Sequence, residues 1–372
     1  MALENKKNMI LKLIFAFLLG QSAQAKIILP ELLAKQAVNN IRFLSQDGKF
    51  TYYQKRSGSL LFSSNYKVAE LIKGQIGTQY TLIGTPARKK IVVMQNENFH
   101  TFYSIRSREK IFLLDFGGTN PKEVGMGSAA ALHLNDTWLS YYDYYSKVLS
   151  FENTTNAALK FSLKLNNRIN PYFTPQVVMS DDNTVYYTDL GENGAVGLLE
   201  FKRNTGKAEL IFKATTPMVK AEICLHNDYL VMGLFGLNFS KNGATITRAA
   251  LPLSDFKKRE TIYTSSTNDF GQLVCDFSKD YITFIKNFGS NDQISTDLVD
   301  LNPSNKEIKM LSEMKTITSV INMDGTLLAL DKGKYYIVKG TIDYKNIDSL
   351  KALPPSGASE AIKQIDKELD NE

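Results

Sequence analysis

The sequence predicts an all-β protein built from repeated antiparallel units, and three observations point to this fold class. Tyrosine and phenylalanine are abundant, with 18 Tyr and 21 Phe in 372 residues, and aromatic residues favour β-strands. Short polar turn pairs recur at intervals of about 46 residues, and an apolar, strand-like run follows each pair. Segments with the spacing of an amphipathic helix are lacking between these units, which argues against an α/β fold.

Composition excludes several classes of protein before any motif is considered. Hydrophobic residues make up 43% and charged residues 22% of the chain, as in ordinary globular proteins. Two cysteines exclude a disulfide-dense scaffold and a cysteine zinc finger. The formal net charge of +6 is not gathered into long basic blocks. We therefore expect no nucleic acid as a partner.

The N-terminus has the three parts of a secretory signal peptide. Lys6 and Lys7 precede an apolar run, Met9 to Leu19, and Ala23-Gln24-Ala25 supplies a cleavage site. A core helix and a membrane anchor are the alternatives, but the run is shorter than the roughly 20 residues a spanning helix needs. We predict a signal peptide over residues 1–25 and a periplasmic or secreted product without a membrane span after cleavage.

The repeats predict a β-propeller over residues 42–340, most simply with seven blades of about four antiparallel strands. Asn, Asp and Gly suit the turns because they tolerate positive φ. Six or eight blades, or an irregular pair of β-sandwiches, are the alternatives. The turn pairs are Asp47-Gly48, Arg88-Lys89, Asn135-Asp136, Asp182-Asn183, Asn227-Asp228, Lys279-Asp280 and Asp324-Gly325.

The segments on either side complete the predicted organisation. Residues 26–41 form an N-terminal segment, and residues 341–372 form a linker with a short C-terminal helix. The last repeat is short, and propellers commonly close by pairing strands from both ends of the chain, which hides two sheet edges. Ile27 to Leu29 or Ile41 to Leu44 are the candidates for the closing strand.

One repeat resembles the TolB-type β-propeller family. Ser45-Gln46-Asp47-Gly48-Lys49-Phe50 matches the family pattern of Ser-x-Asp-Gly-Lys followed by an apolar strand. Ser180-Asp181-Asp182-Asn183, Ser278-Lys279-Asp280 and Met323-Asp324-Gly325 are partial matches. The resemblance implies a propeller fold and an exported protein of the bacterial envelope.

The densest aromatic segment is the candidate binding site. Strand alternation places Trp138, Tyr142 and Tyr144 on one face, and Tyr141 and Tyr145 on the other. Such large side chains are expected to pack between blades. Those beyond the end of the strand could instead form a platform for a glycan or a peptide.

Other chemistry-bearing residues do not form a recognisable motif. The histidines are His100, His133 and His226, which lie in three different units without metal-ligand spacing. Nucleophile-elbow, zinc-protease and phosphate-loop patterns are absent from the sequence. We therefore expect the histidines to be structural or on the surface, and we expect no metal site and no cofactor. A binding protein is the favoured class, and an enzyme is the alternative.

The two cysteines lie 51 residues apart in neighbouring units, Cys224 four residues before Asp228 and Cys275 five before Asp280. Export favours a disulfide between them. Strand alternation, however, tends to point the two side chains apart because their offsets from the turns differ by one residue. Two buried thiols are therefore the favoured expectation, with a disulfide as the alternative.

These observations predict an exported, monomeric β-propeller that binds a protein or an envelope glycan through one rim. The alternative is an envelope hydrolase or lyase with a site in the central channel. Propellers host many functions, so the fold does not choose between the two.

Overall fold

The computed structural model describes residues 41–340 apart from several connections, the longer of which are 97–108, 167–172, 237–242, 266–270, 289–294 and 311–316. The signal peptide, most of the N-terminal segment, His100 and the linker with its C-terminal helix lie outside the described residues. In the described part, no helix is long and apolar enough to cross a membrane.

The described chain is all-β, as the repeats predict. The strands are β1 (Ile41–Leu44), β2 (Phe50–Gln54), β3 (Leu60–Ser64), β4 (Lys67–Ile72), β5 (Gln79–Gly84), β6 (Lys90–Asn96), β7 (Glu109–Asp115), β8 (Lys122–His133), β9 (Trp138–Asp143), β10 (Val148–Asn153), β11 (Lys160–Lys164), β12 (Val177–Asp181), β13 (Thr184–Leu190), β14 (Val196–Lys202), β15 (Lys207–Lys213), β16 (Val219–His226), β17 (Tyr229–Gly236), β18 (Thr245–Ala250), β19 (Glu260–Thr264), β20 (Gly271–Val274), β21 (Ile282–Phe288), β22 (Ser295–Leu301), β23 (Ile308–Met310), β24 (Ile317–Met323), β25 (Thr326–Asp331) and β26 (Lys334–Gly340). A short 3₁₀ turn, Phe256–Lys258, interrupts the connection from β18 to β19.

The strands form consecutive antiparallel meanders. Four sheets contain four strands each, β1–β4, β12–β15, β16–β19 and β20–β23, and the last sheet contains β24–β26. Between the first two of these, β5 to β11 form one sheet of seven strands. Each predicted turn is followed by a strand, so the period read from the sequence is confirmed.

The seven-stranded sheet is longer than the expected four-strand unit because the two halves of one long strand, β8, belong to two successive units. The first half of β8 pairs with β7, and its second half pairs with β9. The register shifts between Ser128 and Ala131, and Ala129 has a φ of 52°. A bend within β8 thus replaces the connecting loop found between the other sheets.

The hydrophobic core lies between successive sheets. One cluster joins the first sheet to β5–β7 through residues such as Tyr52, Phe62 and Ile91. Others join β9–β11 to β12–β14, sheet β12–β15 to sheet β16–β19, and β16–β19 to β20–β23. Face-to-face packing of consecutive meanders is the arrangement of propeller blades.

The first strand, Ile41 to Leu44, does not close the last blade. It is β1 of the first sheet, where Phe43 pairs with Tyr52 and Leu44 pairs with Thr51. Since β2 begins only a few residues after β1 ends, β1 pairs with β2 and not with a strand of the last sheet. The other candidate for closure, Ile27 to Leu29, lies outside the described residues.

Antiparallel meanders give the stack two distinct ends. We call "turn end" the end that carries the connections from first to second strand of each sheet, such as Asn135-Asp136, Asp182-Asn183 and Asn227-Asp228. We call "loop end" the opposite end, which carries the connections from second to third strand and from each sheet to the next. Tyr144 and Tyr145 between β9 and β10, and residues 73–76 and 78 between β4 and β5, lie at the loop end.

Candidate functional site

The predicted aromatic segment is divided between the core and the surface. Trp138 and Tyr142 are each 1% exposed and belong to the core between β9–β11 and β12–β14. Tyr141 is buried on the opposite face with Leu139 and Val92. These side chains pack between sheets, as their size favours, and the alternation of faces is confirmed.

Tyr144 and Tyr145 lie beyond the end of β9, at the loop end. Tyr145 is 59% exposed, and its ring meets that of Tyr144 edge-on at 5.8 Å between centroids. Asp143 fixes this hairpin tip, since its carboxylate accepts hydrogen bonds from Tyr145 N at 3.1 Å and Ser146 Oγ at 2.8 Å. Among the described residues, the buried Tyr144 hydroxyl has no hydrogen-bond partner. This tip is the part of the predicted platform that is open to a ligand.

Tyr141 shows why the strand aromatics serve packing rather than a surface. Its hydroxyl donates to Glu152 Oε1 at 3.0 Å. Burial, with a smaller contribution from the negative charge of Glu152, raises its pKa to about 12. A Cβ on Gly125 would lie 2.6 Å from the Tyr141 hydroxyl oxygen, so the glycine leaves room for the ring. The side chain is thus held between β8 and β10.

A serine and a histidine form a hydrogen bond inside the third repeat. His133 Nε2 lies 2.7 Å from Ser140 Oγ. Ser140 is 0% exposed, and desolvation by burial lowers the pKa of His133 to about 4. Both side chains are buried, which agrees with a structural histidine at position 133. His226 is also buried, as a structural histidine is expected to be.

The expectation of two free thiols is wrong, because Cys224 and Cys275 form a disulfide with a Cα–Cα distance of 5.9 Å. The physical reason is that neighbouring sheets pack through opposite faces. Cys224, its pair partner Val231 and Cys275 belong to one cluster between β16–β19 and β20–β23, so side chains on opposite faces of their own sheets meet there. Before Cys275, β20 also contains a β-bulge, since Gly271 pairs with Ile285 but Val274 pairs with Thr283.

Glu222 stabilises the same junction between β16 and β20. Its carboxylate accepts a hydrogen bond from Leu273 N at 2.5 Å, within the bulge. Lys220 forms an ion pair with the other oxygen of this buried carboxylate. The amide that the bulge removes from the strand ladder therefore has a partner, and nothing in the sequence pattern indicated this pairing.

At the turn end, side chains of the repeated turns link neighbouring repeats. Buried Asp136 accepts hydrogen bonds from Thr85 Oγ1 at 2.5 Å and from the amides of Lys89 and Lys90 at 3.0 and 3.3 Å. Two further links are Trp138 Nε1 to Asp182 Oδ1 at 2.8 Å and Asn227 Nδ2 to the Lys279 carbonyl at 2.9 Å. The turn residues therefore connect neighbouring repeats as well as reversing the chain.

The acidic turns do not form a metal centre in the described part of the chain. Asp181 Oδ1 accepts a hydrogen bond from Asn183 N at 2.7 Å, which is ordinary turn chemistry. No group of three or more His, Cys, Asp or Glu side chains that could hold a metal ion is found among the described residues.

Comparisons with known proteins define the class of fold. No protein-family model matches the chain, and no curated protein matches it. Among solved structures, the tricorn protease is similar with a TM-score of 0.57 and 11% identity over 84% of this chain and 34% of that protein. A structure from a study of two prolyl endopeptidases is also similar, with a TM-score of 0.53 and 9% identity over 83% of this chain and 52% of that chain.

Hydrazine synthase of Kuenenia stuttgartiensis is a third similar structure, with a TM-score of 0.50 and 11% identity over 83% of this chain and 97% of that chain. The chain spans about a third of the tricorn protease and about half of the prolyl endopeptidase. Identity at this level shows the fold alone. The protein is all-β, with β-propeller proteins as its structural neighbours, and its place in the TolB-type family stays a prediction.

Proposed function

We propose that this chain is an exported, seven-bladed β-propeller that binds a protein or an envelope glycan at its loop end. The exposed side chain of Tyr145, at a hairpin tip that Asp143 holds by hydrogen bonds, is the observation that carries the proposal. Aromatic side chains with an apolar ring and a polar hydroxyl are common at binding surfaces, because one side chain can offer both kinds of contact.

The blade count follows if β8 is divided at its bend. Strands β5 to β8 then form one blade, and β8 to β11 form the next. Pairing of the two halves of β8 with different strands supports this division. With β24–β26 as the last blade, the repeats number seven, in agreement with the turn pairs of the sequence.

Export is supported by two independent features. The N-terminal pattern is that of a signal peptide. The Cys224–Cys275 disulfide belongs to an oxidising compartment such as the periplasm or the extracellular space. We therefore propose a periplasmic or secreted location for the mature chain, beginning at Lys26.

An envelope hydrolase or lyase is the second candidate, with a site in the central channel. The comparisons favour this candidate, since two of the similar structures are proteases. The surface geometry favours the first, since the loop-end tip is exposed whereas the Ser140–His133 pair is buried.

One pair of assays on the mature protein separates the candidates. Immobilised wild type is exposed to solubilised envelope proteins and, separately, to peptidoglycan fragments, with Tyr145→Ala and Leu210→Ala as matched variants of two equally exposed side chains. Binding that Tyr145→Ala abolishes and Leu210→Ala preserves is the expected result. Equal binding by both variants would overturn the proposed site.

Cleavage is measured in parallel with quenched fluorescent peptides and with oligosaccharides. Saturable turnover that persists in Tyr145→Ala would establish the second candidate instead. The absence of turnover, together with Tyr145-dependent binding, would establish the first.

A further inference from the structure

Strand β15 is the outer strand of the sheet β12–β15, and in the described part of the chain it pairs only with β14. It contains seven residues, whereas the outer strands β4, β19 and β23 of the other four-stranded sheets contain six, five and three. An outer strand directs the amide and carbonyl groups of alternate residues away from its sheet. The free edge of β15 can therefore form hydrogen bonds with one further extended chain.

The side chains of β15 leave this edge accessible. Four consecutive residues, Lys207 to Leu210, are exposed, so both faces of the strand are open to solvent there. In β19, by contrast, Ile262 and Tyr263 are buried. Proline, which has no amide hydrogen to contribute to such an edge, is absent from β15. The first four residues of β15 are therefore accessible to a partner strand.

The charged side chains of β15 have no ion-pair partner among the described residues. They are Lys207 and Lys213, the first and last residues of the strand, and Glu209. Lys207 lies opposite Lys202 and Glu209 lies opposite Glu200, so each faces a like charge across the hairpin. Glu200 and Lys202 instead form an ion pair with each other, at 3.1 Å. The charges of β15 are therefore available to a partner.

The connection that packs against β15 adds positive charge. The ring of Phe256 meets that of Phe212 at 5.7 Å between centroids, and the Arg259 guanidinium lies 4.9 Å from the Phe212 ring. Lys257 and Lys258, between Phe256 and Arg259 in the sequence, are exposed. Three consecutive basic residues thus lie beside the outer strand.

Acidic residues offset only part of this charge. Glu260 is already bonded to Arg248 at 2.9 Å and paired with Lys306 at 3.2 Å. Asp255 lies outside the described residues. With Glu260 paired and Asp255 counted, the basic residues of β15 and of the connection outnumber the acidic ones by five to two. The surface around the free edge is therefore positive and suits an acidic partner.

A second copy of this chain is a poor occupant of the edge. Two pairings with a second copy use the whole strand, and both bring like charges together. The antiparallel pairing places Lys207 opposite Lys213, and the parallel one places each charged residue opposite itself. Lysines at the edge of a sheet protect against such self-association. A different, acidic strand avoids both conflicts.

We propose that β15 is a docking edge for an extended acidic segment of another protein, which adds a fifth strand to the sheet. In the antiparallel arrangement, an acidic residue of the segment lies opposite Lys207, and a basic residue two positions earlier lies opposite Glu209. Main-chain hydrogen bonds supply the affinity in this mode of binding, and the side chains supply the specificity. The inference goes beyond the proposed function, because β15 belongs to a different sheet from the Tyr145 tip.

Calorimetric titration of the mature chain with a synthetic peptide tests the proposal. The peptide acetyl-Asp-Thr-Val-Lys-Val-Asp-amide has its last Asp opposite Lys207 and its Lys opposite Glu209 when it runs antiparallel to β15. One derivative is N-methylated at both Val residues and a second at Thr and Lys, so the two keep the same charge but lose different amides. Only alternate amides face the edge, so one derivative is expected to bind about 10-fold more weakly, whereas the other binds as the parent peptide does.

Two pairs of substitutions in the protein test the charges. The double variant Lys207→Glu and Lys213→Glu is expected to bind the parent peptide about 10-fold more weakly. The matched control is the double variant Lys160→Glu and Lys164→Glu, which reverses two exposed lysines at the ends of β11. Its affinity should stay within about threefold of wild type, because charges far from the bound peptide are screened by salt.

Single substitutions separate this site from the proposed one. Leu210→Ala keeps the main chain and the charges of β15, so it should bind the peptide as wild type does. Tyr145→Ala lies in another sheet and should also bind the peptide normally. Failure of either proposal therefore leaves the other standing.

Hydrogen exchange of the complex locates the contact, with slower exchange of β15 amides as the expected result. The proposal is overturned if no binding is detected up to about 1 mM peptide, if the two methylated derivatives bind equally, or if the two lysine pairs have equal effects. Protection confined to residues outside β15 also overturns it. Unfolding midpoints equal to wild type show that the variants are folded, and the methylated derivatives, which need only the wild-type chain, keep the test valid if one is not.

Discussion

The two ends of the stacked sheets use their polar residues differently. At the turn end, Asp136, Asp182 and Asn227 form hydrogen bonds with the neighbouring repeat and hold the repeats together. At the loop end, Gln54, Ser59 and Thr78 hold a turn whose apolar side chain faces solvent. The comparison shows that polar side chains link repeats at the turn end, whereas at the loop end they hold connections that expose apolar side chains to solvent.

Removing the disulfide is expected to have the largest effect, since it joins β16 and β20 near the turn end. Replacing Cys224 and Cys275 together by Ala should lower the free energy of unfolding by about 4 kcal/mol, on the chain-entropy model for a loop of this length. Denaturant unfolding measures the change. Wild type in reductant should lose a similar amount, and a loss below about 1 kcal/mol would show that the cross-link is not important to the turn end.

Acidification should destabilise the protein through His133, which also lies at the turn end. Its pKa is about 4 when folded, below the ordinary value of 6.5, so the unfolded state binds the proton more readily. The contribution of His133 to the free energy of unfolding is therefore fully present above pH 6.5. It is lost as the pH drops towards 4, which lowers the free energy of unfolding by about 3 kcal/mol in total. Unfolding midpoints across this range measure the effect, and His133→Gln should remove that part of the pH dependence. An unchanged pH profile in His133→Gln would contradict the assignment.

The links between turns predict a smaller but specific effect. Asp136→Ala leaves Thr85 Oγ1 and two backbone amides without their acceptor and should cost about 2 kcal/mol of unfolding free energy. Asp228→Ala is the matched control, because Asp228 is an exposed residue of the equivalent turn and should change stability by less than about 0.5 kcal/mol. Equal effects of the two substitutions would remove the distinction between a linking turn and an ordinary one.

The smallest effect on stability is expected at the loop end. Ile76→Ala and Tyr145→Ala should each leave the thermal midpoint within the change produced by about 0.5 kcal/mol, since both side chains are largely in solvent. A substantial loss of stability in either variant would show that these residues support the fold and would weaken the contrast between the two ends.

Much of the fold could be predicted from the sequence because its strands and turns are local features. Each turn pair is followed by a strand, and the candidate strand Ile41 to Leu44 coincides with the observed β1. The alternation of Trp138, Tyr141 and Tyr142 between two faces was predictable for the same reason. The site was less predictable, since burial separates Tyr145 from the strand aromatics and depends on where β9 ends within the stack.

The sequence alone determined the repeat, the strand positions and the faces of the aromatic residues, because these depend on the periodicity of neighbouring residues. Only the tertiary structure decided which residues meet across sheets. Packing of neighbouring sheets through opposite faces brings Cys275 to Cys224, the bend at Ala129 joins two repeats through β8, and Gly58 allows its connection to approach the Gln75 carbonyl closely. Each of these depends on sheet packing, on a local change in register or on a close backbone approach, and none of the three is visible in the periodicity of one strand.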